Sequence, residues 1–439
     1  MASFSFGAGN AAKLLRIPLY VLGRAATLAI PRTGSPRTGS ARTGSSGSEV
    51  SRIGGLWVFG SASGLADGAW ALWQYASARG ERAVWLTGGP DDERDAAAHG
   101  IPWARKSSLR GFWLTARASV IVVTHGFGDV NRYAAAGGIA GVIIVQLWHG
   151  IPLKRIGLDA PVTTASPFPF ARRATSRLLA ALYRSTQRRI RVLPAASELV
   201  RGRLESAFGL STSCVPVTGE PRTDVLTAGT AVDRRAHARA RLAALVGGLD
   251  DETPVVLYAP TWRDGADDPG LPASGDIAAL RAVLDEGRAL LLVRSHHLGG
   301  GDYRALAGPR VRMLGTDVAA DVTPLLPGMD ALVTDYSSLA YDAALVPLPT
   351  LFFAPDLADY ARTRGFYGTY EDVAGPDPAG DWATLAAQLR ALLIDPAERV
   401  ARARALSARV HGFSDGRSTE RVYAVIRSLG EGISEGRRP

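Results

Sequence analysis

The sequence predicts an α/β protein of two doubly wound, Rossmann-like domains facing a cleft, and three observations carry that prediction. Short apolar runs alternate with helical stretches along most of the chain, as in parallel sheets covered by helices. The 439 residues are enough for two domains of ordinary size. In both halves, residues capable of chemistry stand just after the apolar runs, and open α/β sheets bind ligands beyond the carboxyl ends of their strands.

The composition is that of a globular protein, 46% hydrophobic and 21% charged. The single cysteine, Cys214, excludes an internal disulfide and fits a reducing, cytosolic setting. The net charge of +9 is carried by arginine, because Lys13, Lys106 and Lys154 are the only lysines. Such an excess favours phosphate-bearing partners: nucleic acid, anionic lipid or a phosphorylated polymer.

Residues 1–30 hold two apolar pieces, Ile17–Gly23 and Ala25–Pro31, each too short to span a bilayer. At 100° per residue Lys13, Arg16 and Arg24 share an arc of about 80°, so the segment is expected to contact a membrane surface, although Pro18 interrupts it. A five-residue repeat, Arg-Thr-Gly-Ser followed by Pro, Ala or Ser, runs from Arg32 to Ser46 and reads as a flexible linker over 31–50.

The first domain is expected over 51–212. Its strands are Leu56–Phe59, Ala83–Leu86, Ser119–Thr124 and Gly141–Val145, with a helix over Ala66–Arg79. The turn Gly60–Gly64 matches neither phosphate-binding glycine fingerprint. The last strand runs into Trp148-His149-Gly150-Ile151-Pro152, where a histidine is set on a Gly/Pro turn and suits a general base. A helix is predicted over Phe170–Arg191. Arg173, Arg177, Arg184, Arg188 and Arg191 fall within about 60° of one another on it. A run of charge is most often a solvated face, but five arginines with no interleaved acid suit an anionic headgroup layer, at roughly 1 kcal/mol each.

The second domain is expected over 213–430, with strands at Val255–Tyr258, Leu290–Val293, Ala331–Thr334 and Leu351–Phe353, closing helices at 396–410 and 418–429, and a polar tail over 431–439. Segments at its strand ends offer Arg222, Thr261 and Trp262, Arg294 with Ser295, His296 and His297, and Ser337 and Ser338 before a helix. Singly each has an ordinary structural reading. Together they outline a cleft lined by arginines, histidines and a helix N-terminus, suited to a pyrophosphate-containing donor.

These segments resemble the CDP-glycerol:glycerophosphate glycerophosphotransferases, which build bacterial teichoic acids. The landmarks are Trp-His-Gly-x-Pro-Leu-Lys (148–154), Gly-x-Pro-Arg-x-Asp (219–224), Tyr-Ala-Pro-Thr-Trp-Arg (258–263), Arg-x-His (294–296), Thr-Asp-Tyr-Ser-Ser-x-x-x-Asp (334–342) and Arg-Gly-Phe-Tyr (364–367). The resemblance implies a GT-B architecture with the donor mainly on the second domain. It implies catalytic roles for His149 and His296. Donor binding is implied for Trp148, His149, Gly150, Ile151, Pro152, Arg222, Thr261, Trp262, Arg294, Ser295, His296, Ser337, Ser338 and Asp342. Two departures stand out: Ile151 replaces the family's usual threonine, and His297 follows the Arg-x-His where proline is usual.

The expected partners are CDP-glycerol, a lipid-linked saccharide or glycerol phosphate polymer, and the anionic cytoplasmic face of the membrane, with no nucleic acid. The expected chemistry needs no cofactor, and with no Asp-x-Asp pair beside the motifs no metal is expected. CDP-ribitol or another polyol donor, a nucleotide-sugar glycosyltransferase, and a non-enzymatic basic binding protein are the competing readings.

Overall fold

Two parallel sheets form the frame of the computed structural model, which describes residues 55–136, 141–168, 171–261, 263, 268–294 and 303–434, with residues 10, 19, 21–23, 25 and 26. The first sheet contains β1 (Leu56–Phe59), β2 (Arg82–Thr87), β3 (Trp103–Arg105), β4 (Ala118–Val123), β5 (Ile143–Gln146) and β6 (Ile190–Val192). Its order is β3-β2-β1-β4-β5-β6, so the strand order reverses between β1 and β4. The second contains β7 (Val255–Ala259), β8 (Leu290–Val293), β9 (Val311–Met313), β10 (Ala331–Thr334) and β11 (Thr350–Phe352). Its order is β11-β10-β7-β8-β9, with the reversal between β7 and β10. All the strand pairings are parallel.

The strands bury both faces, as helix-covered parallel sheets must. Trp57, Phe59, Val120 and Val122 project to one side of the first sheet, and Val58, Ile121 and Val123 to the other. The second of these layers does not stop at the domain edge. It runs on through Ile151, Leu153 and Leu204 into Tyr336, Tyr341, Phe366 and Tyr370 of the second domain. One apolar core therefore crosses the junction.

Three strands lie where the sequence predicts none. Trp103–Arg105, Ile190–Val192 and Val311–Met313 are each three residues long, and each carries an arginine that breaks the apolar run. The predicted helix over Phe170–Arg191 is shorter, Arg172–Gln187, and Arg191 belongs to β6 instead.

The last helix, Ser418–Ser434, is expected among the closing helices of the second domain but packs on the first sheet. Val422, Tyr423 and Ile426 are buried with Trp57, Phe59 and Leu72, and Tyr423 stacks on Trp57 at 5.8 Å. Its start is held by Asp224, whose two carboxylate oxygens accept from the backbone N–H groups of Ser418 (2.8 Å) and Thr419 (2.7 Å). Helix starts leave such N–H groups without intrahelical partners. Gly219 lies so close that a Cβ there would sit 2.3 Å from Ser418 Oγ. The outer helix of the pair expected at the end, Ala397–Val410, does pack on the second domain.

Replacing Asp224 by alanine removes both acceptors, and the expected loss is about 1–2 kcal/mol of unfolding free energy in a denaturant titration. An unchanged midpoint would show that the cap contributes nothing.

Candidate active site

The end of β5 is shaped by backbone torsions. Trp148 has φ +61° and Gly150 φ +131°. For a bulky residue the left-handed region costs roughly 1–2 kcal/mol, so the surroundings must hold Trp148 there. Its ring meets Phe208 edge-on at 5.1 Å. Gly150 has no room for a side chain, because a Cβ would lie 2.8 Å from Ser338 Oγ of the second domain. The turn therefore presses the first domain against the helix that begins after Ser338.

His149 sits between these two residues, partly buried. Its imidazole lies flat on that of His125, with ring centres 4.3 Å apart and planes 9° apart. Trp148 covers it at 4.1 Å. Nδ1 of His149 is sealed from solvent without a hydrogen-bond partner among the described residues. Burial, reinforced by His125, Arg222 and Lys154, holds its pKa well below the usual histidine value, while the Thr124 backbone opposes this. Such an imidazole is neutral at pH 7 and has a lone pair to offer.

His125 follows β4 in a loop fixed by a carboxylate that sequence reasoning passed over. Asp129 Oδ2 accepts from the N–H groups of Thr124 (2.9 Å), His125 (2.7 Å) and Gly126 (3.2 Å). Thr124 Oγ1 hydrogen-bonds with His125 Nδ1 and with Ser61 Oγ, each at 2.9 Å.

Arg222 is expected at the donor phosphates, but it is already engaged. Its Nε donates to Asp67 Oδ1 (2.8 Å), Nη1 to Asp342 Oδ1 (2.6 Å) and Nη2 to Thr323 Oγ1 (3.3 Å). Asp67 belongs to the first domain and Asp342 to the second, so the guanidinium ties the two together. Asp67 itself has φ +63° and caps Gly68 N–H at 2.7 Å. Glu220 is buried beside this cluster, and burial raises its pKa to about 8 against the pull of Arg222. Glu220 Oε2 and Asp342 Oδ2 have no partners among the described residues.

In the second domain, Thr261 follows β7 and Asp335 follows β10, on either side of the strand-order reversal. Asp335 Oδ1 accepts from Thr261 N–H (2.9 Å) and Tyr336 N–H (2.6 Å), while Oδ2 accepts from Arg263 Nη1 (2.9 Å). Arg263 also makes a two-pronged contact with Asp356, and its guanidinium lies 4.9 Å from the centre of the Tyr336 ring. This network positions the Thr261 hydroxyl, which is buried with no partner among the described residues. Arg294, also expected at the phosphates, instead donates to the carbonyls of Leu314, Ala319 and Ala320. Ser337 and Ser338 precede the Leu339–Leu345 helix, where Ser337 Oγ accepts from Leu339 N–H and Ser338 makes no side-chain cap. Trp262, Ser295, His296 and His297 lie outside the described residues.

Ile151 is fully buried in the shared core, so its side chain does not line the cleft, and Pro152 is buried after it. Beyond them the segment through Lys154 pairs with the Arg-Gly-Phe-Tyr motif: Tyr367 N–H donates to Leu153 (2.9 Å) and Arg155 N–H to Gly365 (3.1 Å). Lys154 Nζ reaches Tyr360 Oη at 3.3 Å. Arg203 adds a further tie, donating to the Pro152 carbonyl (2.9 Å) and Tyr341 Oη (3.3 Å). Two of the landmarks are thus a seam between the domains.

Arg173, Arg177, Arg184, Arg188 and Arg191 are all exposed, and none forms an ion pair among the described residues, although Arg188 caps the helix and Arg191 lies in β6. Among the described residues no group of three or more His, Cys, Asp or Glu is placed to hold a metal.

Two facing Rossmann-like units with a neutral histidine at one strand end define a GT-B-like fold with a candidate active site. A family profile for CDP-Glycerol:Poly(glycerophosphate) glycerophosphotransferase matches residues 55–428, and the chain belongs to that family. The teichoic acid glycerol-phosphate transferase of Staphylococcus aureus is 28% identical over 63% of this chain and 68% of its own length. The teichoic acid poly(glycerol phosphate) polymerase of Staphylococcus epidermidis is 31% identical over 53% of this chain, a match spanning only 31% of the polymerase. A ribitol-phosphate polymerase of S. aureus, TarK, is 29% identical over 52% of this chain and 42% of its own. A solved structure of the wall teichoic acid polymerase TagF superposes with TM-score 0.72 at 20% identity, covering 97% of this chain and 99% of that one. The UDP-GlcNAc 2-epimerase of Neisseria meningitidis gives 0.52 at 12% identity, over 85% and 99%. Both likenesses speak to the fold.

Two outcomes test the junction. Arg222→Ala leaves Asp342 buried and uncompensated, and about 3–5 kcal/mol of stability should be lost in chemical denaturation. Glu220, with its folded pKa raised from 4.5 to about 8, contributes stability that is fully present below pH 4.5 and lost as pH rises through about 8. The thermal midpoint should therefore fall between pH 6 and pH 9 in the parent and fall less in Glu220→Gln. Parallel pH curves would refute a titrating Glu220.

Proposed function

We propose that this chain transfers glycerol phosphate from CDP-glycerol to a hydroxyl of a lipid-linked saccharide or of poly(glycerol phosphate), with release of CMP. The observation that carries the reading is His149, a partly buried imidazole kept neutral at the end of β5 in a member of this family. The acceptor oxygen attacks the β-phosphorus of the donor, forming the new P–O bond. The bond from that phosphorus to the CMP oxygen breaks in line, and CMP leaves with the electron pair. His149 takes the acceptor's hydroxyl proton. The reaction asks the protein mainly for positioning and charge stabilisation. The role expected for His296 rests on its motif alone, and Arg222 and Arg294, besides any contact with donor phosphate, brace the framework through the partners they hold.

CDP-ribitol is the second donor to consider, since the ribitol-phosphate polymerase is about as similar as the glycerol-phosphate enzymes. A peripheral position on the cytoplasmic face of the membrane is supported by the five arginines that form no ion pair among the described residues and by exposed Leu19, Val21, Leu22, Phe168 and Leu178. Among the described residues no helix is long and apolar enough to cross a membrane.

The test is CMP release by the purified protein from CDP-glycerol and from CDP-ribitol, with and without a lipid-linked saccharide, in the presence of EDTA. Acceptor-dependent CMP from CDP-glycerol is the expected result. Release from CDP-ribitol alone moves the donor, and release from neither ends the transferase reading. His149→Ala should lower turnover by about 10²–10⁴-fold; unchanged turnover would remove His149 from the role of base.

A further inference from the structure

General-base histidines are commonly oriented by a carboxylate on their second ring nitrogen, which sets tautomer and direction. His149 has no such partner. Its Nδ1 has no partner among the described residues, and none of the groups acting most strongly on the ring is a carboxylate: they are His125, Arg222, the Thr124 backbone and Lys154. What faces it instead are two rings, His125 stacked nearly parallel at 4.3 Å and Trp148 tilted at 4.1 Å. The nearby carboxylate, Asp129, is spent one step away, holding three successive N–H groups of the loop that carries His125. Thr124 Oγ1, itself bonded to Ser61, fixes the plane of the His125 ring whichever atom donates.

We propose that His125 is a positioning residue, and that its ring, locked by Thr124 and Asp129, holds the His149 imidazole face-on at the mouth of the cleft. His125 neither touches the reacting atoms nor moves a proton in this scheme. It acts in two ways, by stacking and by opposing a positive charge on the His149 ring. The second action keeps His149 unprotonated at lower pH than burial alone would. Arg222 from the Pro221 turn and Lys154 from the same segment act in the same direction. This inference rests on the transferase reading only for its kinetic arm.

The experiment compares the parent with His125→Phe, which keeps a stacking ring, and His125→Ala, which does not. Two readouts are taken: the pH dependence of CMP release, and the titration midpoint of His149 by NMR of protein labelled with ¹⁵N-histidine, identified by its loss in His149→Ala. With His125→Ala, kcat should fall about tenfold or more with a smaller change in KM, as misplaced groups do. With His125→Phe the plateau rate should be largely kept while the acid limb and the NMR midpoint move to higher pH. An unmoved midpoint in both variants, or an unchanged kcat for His125→Ala in an active enzyme, overturns the proposal. If the parent releases no CMP from either donor, the transferase reading fails, and the NMR midpoint still decides the role of His125.

Discussion

The Arg222 guanidinium is the interaction on which the site depends. It reaches Asp67 in one domain and Asp342 in the other, and it lies against Gly150 at the turn that carries His149. A buried arginine between two carboxylates is an uneasy device, because desolvation of three charges offsets much of the attraction. Geometry is what it supplies. The strained Asp67 backbone, the missing side chain at Gly150 and the start of the Leu339–Leu345 helix all meet at one cation. Displacing any of them shifts the histidine relative to the second domain. The seam of residues 153–155 against 364–367 and the shared apolar core then keep that relation from drifting.

Much of the architecture was legible in the sequence, for a plain physical reason. Buried parallel strands such as Val255–Ala259 and Leu290–Val293 must be apolar on both faces, and they read as unbroken apolar runs. The strands that escaped, β3, β6 and β9, are shorter and need only partial cover. An arginine in Ile190-Arg191-Val192 erased the pattern and extended a helix across the strand. The return of the last helix to the first sheet was invisible because its apolar stripe says that it packs, never on what.

The site was legible as motifs and less so as roles. Arginine after a strand end reads as a phosphate ligand, but the sequence does not show that Arg222 and Arg294 also hold groups of the framework. Those partners, Asp67 and the carbonyls of 314–320, are set by tertiary structure and leave no local trace. Gly-x-Pro-Arg-x-Asp illustrates the point. Its glycine admits Ser418, its arginine joins the domains and its aspartate caps the last helix, so each of its three defining residues has a structural partner. His149 stood out because its strand end also carries Trp148, Gly150 and Pro152, and further candidate groups follow other strand ends. His125 and Asp129 did not, since their value lies in what they press against.

The return of the last helix also bears on how the chain is made. The face of the first sheet that bears Trp57 and Phe59 is finished only by Val422, Tyr423 and Ile426. At roughly 5–20 residues per second, those residues leave the ribosome on the order of 20–70 s after Trp57. Throughout that interval the nascent first domain carries an incompletely covered aromatic surface. Its folding therefore waits on synthesis of the Ser418–Ser434 helix, and any product cut short before that helix leaves that surface open to other chains.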